Sequence, residues 1–471
     1  MENKLSIHSK IATTLNVKPY NKMFNNSLEL FSANWVTNLG KPSNVRLGQK
    51  LILLNRGMNI LGIKNKELTL LISFDTCNTD YGSEIQQYLK TLYDNMYYDY
   101  LIMITHDDAK NKTNPTILQN YLIFLGCKEL KNLLFRASYA FIYDLKRRNI
   151  VFELCDNKFP IHEWFEVIDN DTYYSFNNLG IPIYLIVYNY LYFTKNSIDQ
   201  LKKYTKNIHI IDNNSTYPKL LEYYDNEYEF FLEKMDSNYG HLVWKNKLGW
   251  QMPRYYIISD PDLQYNQNLP ENFITTIRKL SDEHKKGKVG FALDLSDAHL
   301  FYKYDNYIDG ISIKSFELKY WIHKIEHPSL ELYDANIDTT FCLVNREYYK
   351  DKDDGIRIAG NYTCKHIPWY IDWNNKLDNE EWEFYKKHNI SSGILKLMNN
   401  INKLEISHCT NTLNELNVLT NKVNDLLIGL NQENISEEFN DVKKNLSKCV
   451  DLLTDNKVIV SKALHNKTQN K

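Results

Sequence analysis

Hydrophobic and polar positions follow three different rhythms along this chain. From about residue 28 to 155, short apolar runs are separated by turn residues: Leu51 to Leu54, Leu68 to Phe74, Tyr100 to Thr105 and Tyr139 to Tyr143. Runs of this length, rich in branched and aromatic residues, predict strands. Between them, Ser83 to Leu92 and Asn114 to Leu125 place apolar residues near helical spacing, so residues 1–155 read as a compact mixed α/β domain. The polar stretch 156–179 reads as an irregular linker with a short element near Trp164.

The second rhythm starts with the apolar string IPIYLIVYN at Ile181. A helical stretch over Ser197 to Tyr204, a strand over Ile208 to Ile211 and another helical stretch follow, and the strands YYIIS (Tyr255 to Ser259) and KVGFALDL (Lys288 to Leu295) extend the pattern. Strand, helix and strand in succession predict a parallel sheet, so the chain is α/β with a central domain over 180–394. Such sheets bind ligands beyond the carboxyl ends of their strands. In the third rhythm, Leu416, Leu419, Val423, Leu426 and Leu430 repeat at alternating spacings of three and four, and Val442, Leu446, Cys449 and Leu453 do the same. A helical hairpin over 395–471 is expected, either packed on the central domain or serving as the seam of a homodimer.

Bulk properties narrow the partners. A chain of 471 residues is too long for one ordinary core. The formal charge of -2 and a pI near 6.7 leave no basic footprint for nucleic acid. No run of eighteen apolar residues predicts a membrane span. The opening MENKLSIHSKIATTL lacks the apolar core of a secretory signal, and the seven cysteines are scattered without CxxC pairs, so a cytoplasmic location is expected. The 35 tyrosines, beside abundant Asn, Lys and Ile, read as AT-rich codon bias rather than as a binding surface.

The sharpest local feature is Asp260-Pro261-Asp262, directly after YYIIS. Two carboxylates at i and i+2 can flank a hard divalent cation that bridges the phosphates of a nucleotide sugar. The same spacing at Asp169/Asp171 and Asp351/Asp353 lacks a preceding strand and reads as solvated charge. Asn189 ends the first strand of the central pattern, Asp212 ends the second, and Asn238 opens the turn SNYGH. These are candidate nucleotide contacts.

The strings IPIYLIVYN, IIDNNSTYP, SNYGH, YYIISDPDL, KVGFALDL, IDTTFCL, IRIAGNY and KHIPWYID, in this order, resemble the family 2-type GT-A glycosyltransferases of bacteria. The resemblance implies a hexosyl- or N-acetylhexosaminyltransferase that moves a sugar from a nucleotide-diphosphate donor, UDP-linked, to a hydroxyl of a glycan or glycoprotein. It places Asn189, Asp212 and Asn238 on the nucleotide, and Asp260 and Asp262 on Mn²⁺ (or Mg²⁺) and the diphosphate, with His366 completing the metal site. For an inverting reaction Asp338 is the candidate base and Asp372 the reserve. Trp369 and Tyr370 are candidates to stack on the acceptor.

In the first domain, SLELFSANW, NRGMNILGIKN, SFDTC, ITHDDA, FLGC and LLFRASYAFI resemble the ILEI/PANDER-type domain, which includes the stem lectins of some animal N-acetylglucosaminyltransferases. The resemblance implies a sugar held by a carboxylate, Asp107 or Asp108, and by Arg136, whose guanidinium offers two directed donors. Asp75 reads as a turn cap. Ala137 departs from the Asp common at that position. The competing class is a non-catalytic glycan-binding protein with a degenerate central domain.

Overall fold

The computed structural model describes residues 14–16, 27–34, 42–76, 81–107, 116–129, 133–134, 136–170, 173–226, 229–301, 311–350, 354–371, 373–389, 393–432 and 440–469. By contacts the chain divides into two units, Met1–Tyr385 and Lys386–Lys471.

The first unit begins with β1 (Thr14–Asn16), β2 (Ser27–Ser32), β3 (Asn44–Leu47), β4 (Lys50–Leu53), β5 (Gly57–Lys64) and β6 (Glu67–Phe74). Next come α1 (Gly82–Asn95), β7 (Tyr100–His106), α2 (Thr116–Phe124), β8 (Ser138–Asp144), β9 (Asn149–Asp156), β10 (Ile161–Asn170) and β11 (Tyr173–Asn178). They form two sheets, β1-β4-β3-β2-β10-β11 and β6-β5-β7-β8-β9. β7 shows why its sequence is apolar at nearly every position. Leu101 and Met103 pack with Ile85 and Leu89 of α1, while Tyr100, Ile102 and Ile104 pack with Leu28 and Leu30 of the other sheet. With both faces covered, the alternation expected of a half-exposed strand disappears. Strand β5, which lies between β6 and β7, was not legible as a run because Asn59 interrupts it. That side chain is fully buried, and it exchanges hydrogen bonds with the Asn55 backbone at 3.0 and 2.8 Å.

Residues 156–179 require a correction. They are not an irregular linker but largely the β10–β11 hairpin, which completes the six-stranded sheet. Ile161 and Phe165 join the sandwich core, whereas Trp164 points the other way and joins the core of the following sheet. Between them, His162 is within 2.8 Å of Glu29 and 3.1 Å of the Gln251 carbonyl oxygen. Asp169, expected on a loop, lies in β10 and pairs with Lys66.

The chain continues through β12 (Ile183–Val187), α3 (Leu191–Leu201), β13 (Ile208–Asp212), α4 (Pro218–Asn226), β14 (Phe231–Lys234), α5 (Val243–Asn246), β15 (Tyr255–Ser259) and β16 (Leu263–Tyr265). It closes with α6 (Phe273–His284), β17 (Lys288–Phe291), α7 (Ile313–Leu318), β18 (Lys324–Ile325), β19 (Leu332–Asp334), β20 (Cys342–Asn345), β21 (Gly355–Ile358), β22 (Cys364–His366) and α8 (Asn379–His388). Nine strands form one sheet in the order β14-β13-β12-β15-β20-β17-β21-β19-β18. β12 to β15 are parallel, as expected. β20 runs antiparallel to both β15 and β17, so the sheet is mixed rather than wholly parallel. Gly290 permits this close fit, since a Cβ there would lie 2.2 Å from the Phe341 carbonyl oxygen.

Helix α3 begins six residues earlier than Ser197, where periodicity places its start. The backbone N–H groups of Leu191 and Tyr192 both donate to Glu381 of α8 at 2.8 Å, which caps the helix from a distant part of the chain.

In the second unit, α9 (Gly393–Gln432) and α10 (Asn440–Gln469) pack along one another as the expected hairpin. The heptad reading needs adjustment. Leu416, Val423 and Leu430 are half-buried, but Leu419 and Leu426 are 50% and 58% exposed. Among the described residues no helix is long and apolar enough to cross a membrane.

Candidate functional site at the carboxyl end of the nine-stranded sheet

The chain runs from β12 outward through β13 to β14, then returns to place β15 on the other side of β12. That reversal makes the β12/β15 boundary the switch point, where open α/β sheets hold ligands. Tyr188 and Asn189 follow β12, and Asp260 follows β15.

Four segments meet beside that boundary. Asp260 is joined to the loop before β20 by its own N–H, which donates to the Thr339 carbonyl oxygen at 3.0 Å, and by the Thr339 hydroxyl, which donates to its Oδ2 at 2.8 Å. Asp262 precedes β16, whose partner strand is β22, with Leu263 opposite His366. The pairing brings the His366 Nε2 atom to 3.5 Å from Asp262 Oδ2. The loop after β17 is tied in by the Cys364 N–H, donating to the Ala292 carbonyl oxygen at 3.0 Å. From behind, Ser197 of α3 donates to the Pro261 carbonyl oxygen at 2.6 Å.

The electrostatics differ sharply between neighbouring carboxyls. Burial, followed by the charges of Asp262 and Asp338, pushes the Asp260 carboxyl well above its usual range. Asp338 goes the other way. Burial alone raises it, but the Thr340 N–H and hydroxyl donate to its Oδ1 at 2.9 and 2.8 Å, and with Arg357 and Lys288 they hold it below its usual value. By area Asp338 is exposed although protein surrounds it closely. Burial, then the neighbouring Tyr385 and the charges of Asp262 and Asp260, raises the Tyr190 hydroxyl well above its usual range.

The metal reading meets one difficulty. Among the described residues no three His, Cys, Asp or Glu side chains are gathered tightly enough to hold an ion by themselves. The expected set of Asp260, Asp262 and His366 is thus assembled only as the Asp262–His366 pair, because Asp260 is turned onto Thr339. On the His366 ring it is Nε2, not Nδ1, that faces Asp262. Asp262 Oδ1 and His366 Nδ1 are both buried without a hydrogen-bond partner among the described residues, an arrangement that costs free energy unless something else satisfies it.

The nucleotide candidates divide. Asn189, with φ of 60° and 1% exposed, accepts at its Oδ1 from the Thr216 and Tyr217 N–H groups at 2.7 and 3.0 Å, while its Nδ2 has no partner among the described residues. Asp212 is 1% exposed and spent internally, accepting from the Ser215 N–H at 2.8 Å and the Tyr224 hydroxyl at 2.9 Å. Its role here is to fix the turn before α4. Asn238 is exposed and accepts from the Gly240 N–H at 2.9 Å. Asp372 lies outside the described residues. Trp369 is 4% exposed, and Tyr370, partly exposed, donates its hydroxyl to Asp297 at 2.8 Å.

Sequence reasoning missed the group behind Asp338. Lys288, 2% exposed, donates to the carbonyl oxygens of Ile337 and Asp338 at 2.7 and 2.9 Å. Arg357, 3% exposed, donates to the Asn336 carbonyl oxygen at 2.8 Å and pairs with buried Glu317. Two buried cations therefore hold three consecutive carbonyls of the loop that carries Asp338. The available signal was a lysine and an arginine inside otherwise apolar strands, KVGF and GIRI.

In the N-terminal sandwich, Asp107 follows β7 with φ of 71°, is 8% exposed, and has an Oδ1 atom without a partner among the described residues. The β7/β8 register, Ile104 opposite Ala140, carried three residues further places Asp107 opposite Ala137. Arg136 is thus at the same end of the sheet. Asp108 lies outside the described residues. Asp75 is paired at the surface with Arg56 at 2.6 Å.

Residues 56–144 match the family model of the interleukin-like EMT inducer. The match covers the four strands β5 to β8 with α1 and α2 and contains both Asp107 and Arg136. An uncharacterized protein L138 of Acanthamoeba polyphaga mimivirus is 31% identical over 99 residues, which is 21% of this chain and 11% of that protein. The chain therefore spans only a small part of that relative. A comparison with the crystal structure of S. aureus TarS 1-349 covers 24% of this chain and 36% of that one, at 16% identity and a TM-score of 0.19, a likeness too slight to carry an argument.

Proposed function

We propose that residues 180–394 form a glycosyltransferase domain of GT-A type, preceded by an N-terminal domain that reads glycans. One observation supports the reading: the segments that carry Asp260, Asp262, Asp338 and His366 are tied to one another beside the switch point, and Asp262 Oδ1 and His366 Nδ1 have no hydrogen-bond partner among the described residues. The donor is a nucleotide-diphosphate sugar, UDP-linked, and the acceptor a hydroxyl of a glycan or glycoprotein. Asp262 and His366 would hold Mn²⁺ or Mg²⁺, which when bound supplies neutralisation of the diphosphate charge. Asn189 offers its unsatisfied amide to the nucleotide.

Asp338 stays ionised near neutral pH and takes the acceptor hydroxyl proton as that oxygen bonds to the anomeric carbon. The bond from that carbon to the diphosphate breaks, and the nucleoside diphosphate leaves with the electron pair. Asp107 and Arg136 would hold a glycan on the N-terminal domain and raise its local concentration.

The test uses Asp262→Ala. We expect wild type to show a rise in melting temperature with UDP and Mn²⁺ together, and sugar transfer that a chelator abolishes. The variant should lose both, with transfer down by at least about a hundredfold. Transfer that survives chelation defeats the metal mechanism. A second reading is a glycan-binding protein whose central domain is inactive, in keeping with there being no three-ligand cluster among the described residues, and absence of any UDP-dependent shift in wild type would select it.

A further inference from the structure

A second cleft lies away from Asp260, where β9 to β11 meet β12, β15 and α6. Its volume of 540 Å³ is within the range of small-molecule sites, which favour junctions of this kind. One wall is apolar, formed by Phe152, Leu154, Ile161 and Pro182. The polar lining includes Glu163, Asn178, Arg254 and Arg278.

The charges there decide what fits. Arg254 is committed, donating to Asp156 at 2.8 and 3.2 Å and to Glu347 at 3.0 Å. Arg278 is only loosely paired, 3.9 Å from Asp282, and lies 4.6 Å over the Tyr255 ring with its side chain 52% exposed. Glu163 accepts from the Asn178 amide at 2.9 Å. Burial pushes the Glu163 carboxyl up to about 7, against Asn178, His162 and Arg278, so near neutral pH it can donate as well as accept. A phosphate would find one loosely paired cation and face Glu163 and Asp156. A purely apolar ligand would strand Glu163 and Asn178 without water, which is costly. A neutral polyhydroxy ring meets both demands, with its C–H face on the apolar wall and hydroxyls toward the carboxyl, amide and guanidinium.

We propose that this cleft binds a neutral saccharide, through Glu163, Asn178 and Arg278, independently of any transfer at Asp260. Saturation-transfer NMR on the full chain tests it, using glucose, galactose and N-acetylglucosamine at about 10 mM, with inorganic phosphate as competitor. In the Asp107→Ala background, which removes the glycan site proposed for the N-terminal domain, we expect transfer to at least one sugar, reduced about fivefold or more by Glu163→Leu and by Arg278→Ala. Arg278 is a half-exposed surface residue, so its variant keeps the test valid if Glu163→Leu fails to fold. Transfer unchanged in Arg278→Ala, displacement of the sugar by phosphate, or no transfer to any of the three sugars overturns the proposal.

Discussion

The N-terminal sandwich and the nine-stranded sheet differ in where most of their charge pairs sit. In the sandwich, several ion pairs have a member at the rim: Arg56 and Asp75 are 47% and 42% exposed, and Lys146 reaches buried Asp99 from a side chain 64% exposed, whereas Glu29 with Arg46 and His162 is the inward exception. Its interior is built from residues such as Ile60, Ile102 and Phe141. In the larger sheet, Lys288, Glu317 and Arg357 are buried almost completely, all behind the loop that carries Asp338. Rim pairs contribute little to stability, whereas buried charges are costly unless well paired. Interior charge is therefore informative. The sandwich is stabilised mainly by apolar packing, while the larger sheet retains expensive groups where they fix one loop.

The contrast can be broken most severely at Arg357. Arg357→Met leaves Glu317 buried without its partner and should cost about 3–5 kcal/mol by denaturant unfolding at pH 8. Glu317 is pushed up to about 7 chiefly by burial, and loss of Arg357 raises it further. The penalty should therefore shrink at pH 5.5, where the carboxyl is protonated; an equal loss at both pH values would argue against a buried charge as its source. Lys288→Met should cost less, about 1–3 kcal/mol, by freeing the Ile337 and Asp338 carbonyls. It also removes a cation that lowers Asp338, so the acid limb of any transfer profile should move to higher pH, with kcat falling more than KM.

Asp260 provides a third lever with a defined sign. Its folded-state carboxyl is raised above its unfolded value, so its contribution to stability is fully present below the ordinary carboxylate range and is lost as pH rises through the folded value. Asp260→Asn should therefore raise the melting temperature of the cation-free protein at pH 7–8 by about 2–4 °C and flatten its decline from acid to neutral pH. A fall in melting temperature would contradict the raised carboxyl. The smallest effect belongs to the sandwich rim, where Arg56→Ala should change stability by less than about 1 kcal/mol. A larger loss there would erase the contrast.

Most strands were legible because apolar runs and turn residues are local signals. YYIIS is a strand over the same five residues, and the helix near Ser83 and the C-terminal hairpin also appear. The pattern failed where both faces of an element are covered or where a cap comes from afar. β10 looked like a linker because polar Glu163 and Glu166 flank the adjacent Trp164 and Phe165, which serve two different cores. The early start of α3 depends on Glu381, about 190 residues later in the chain.

The sequence by itself determined the α/β class, the position of Asp260 and Asp262 after a buried strand, and the ILEI-like character of the first domain, because each is written in neighbouring residues. Only the tertiary structure decided which candidates meet. Strand pairing set His366 beside Asp262, the Thr339 hydroxyl drew Asp260 aside, and internal hydrogen bonds occupied Asp212. The reason is physical: a side chain's protonation and freedom to bind depend on what surrounds it in space, and those surroundings come from strands distant along the chain.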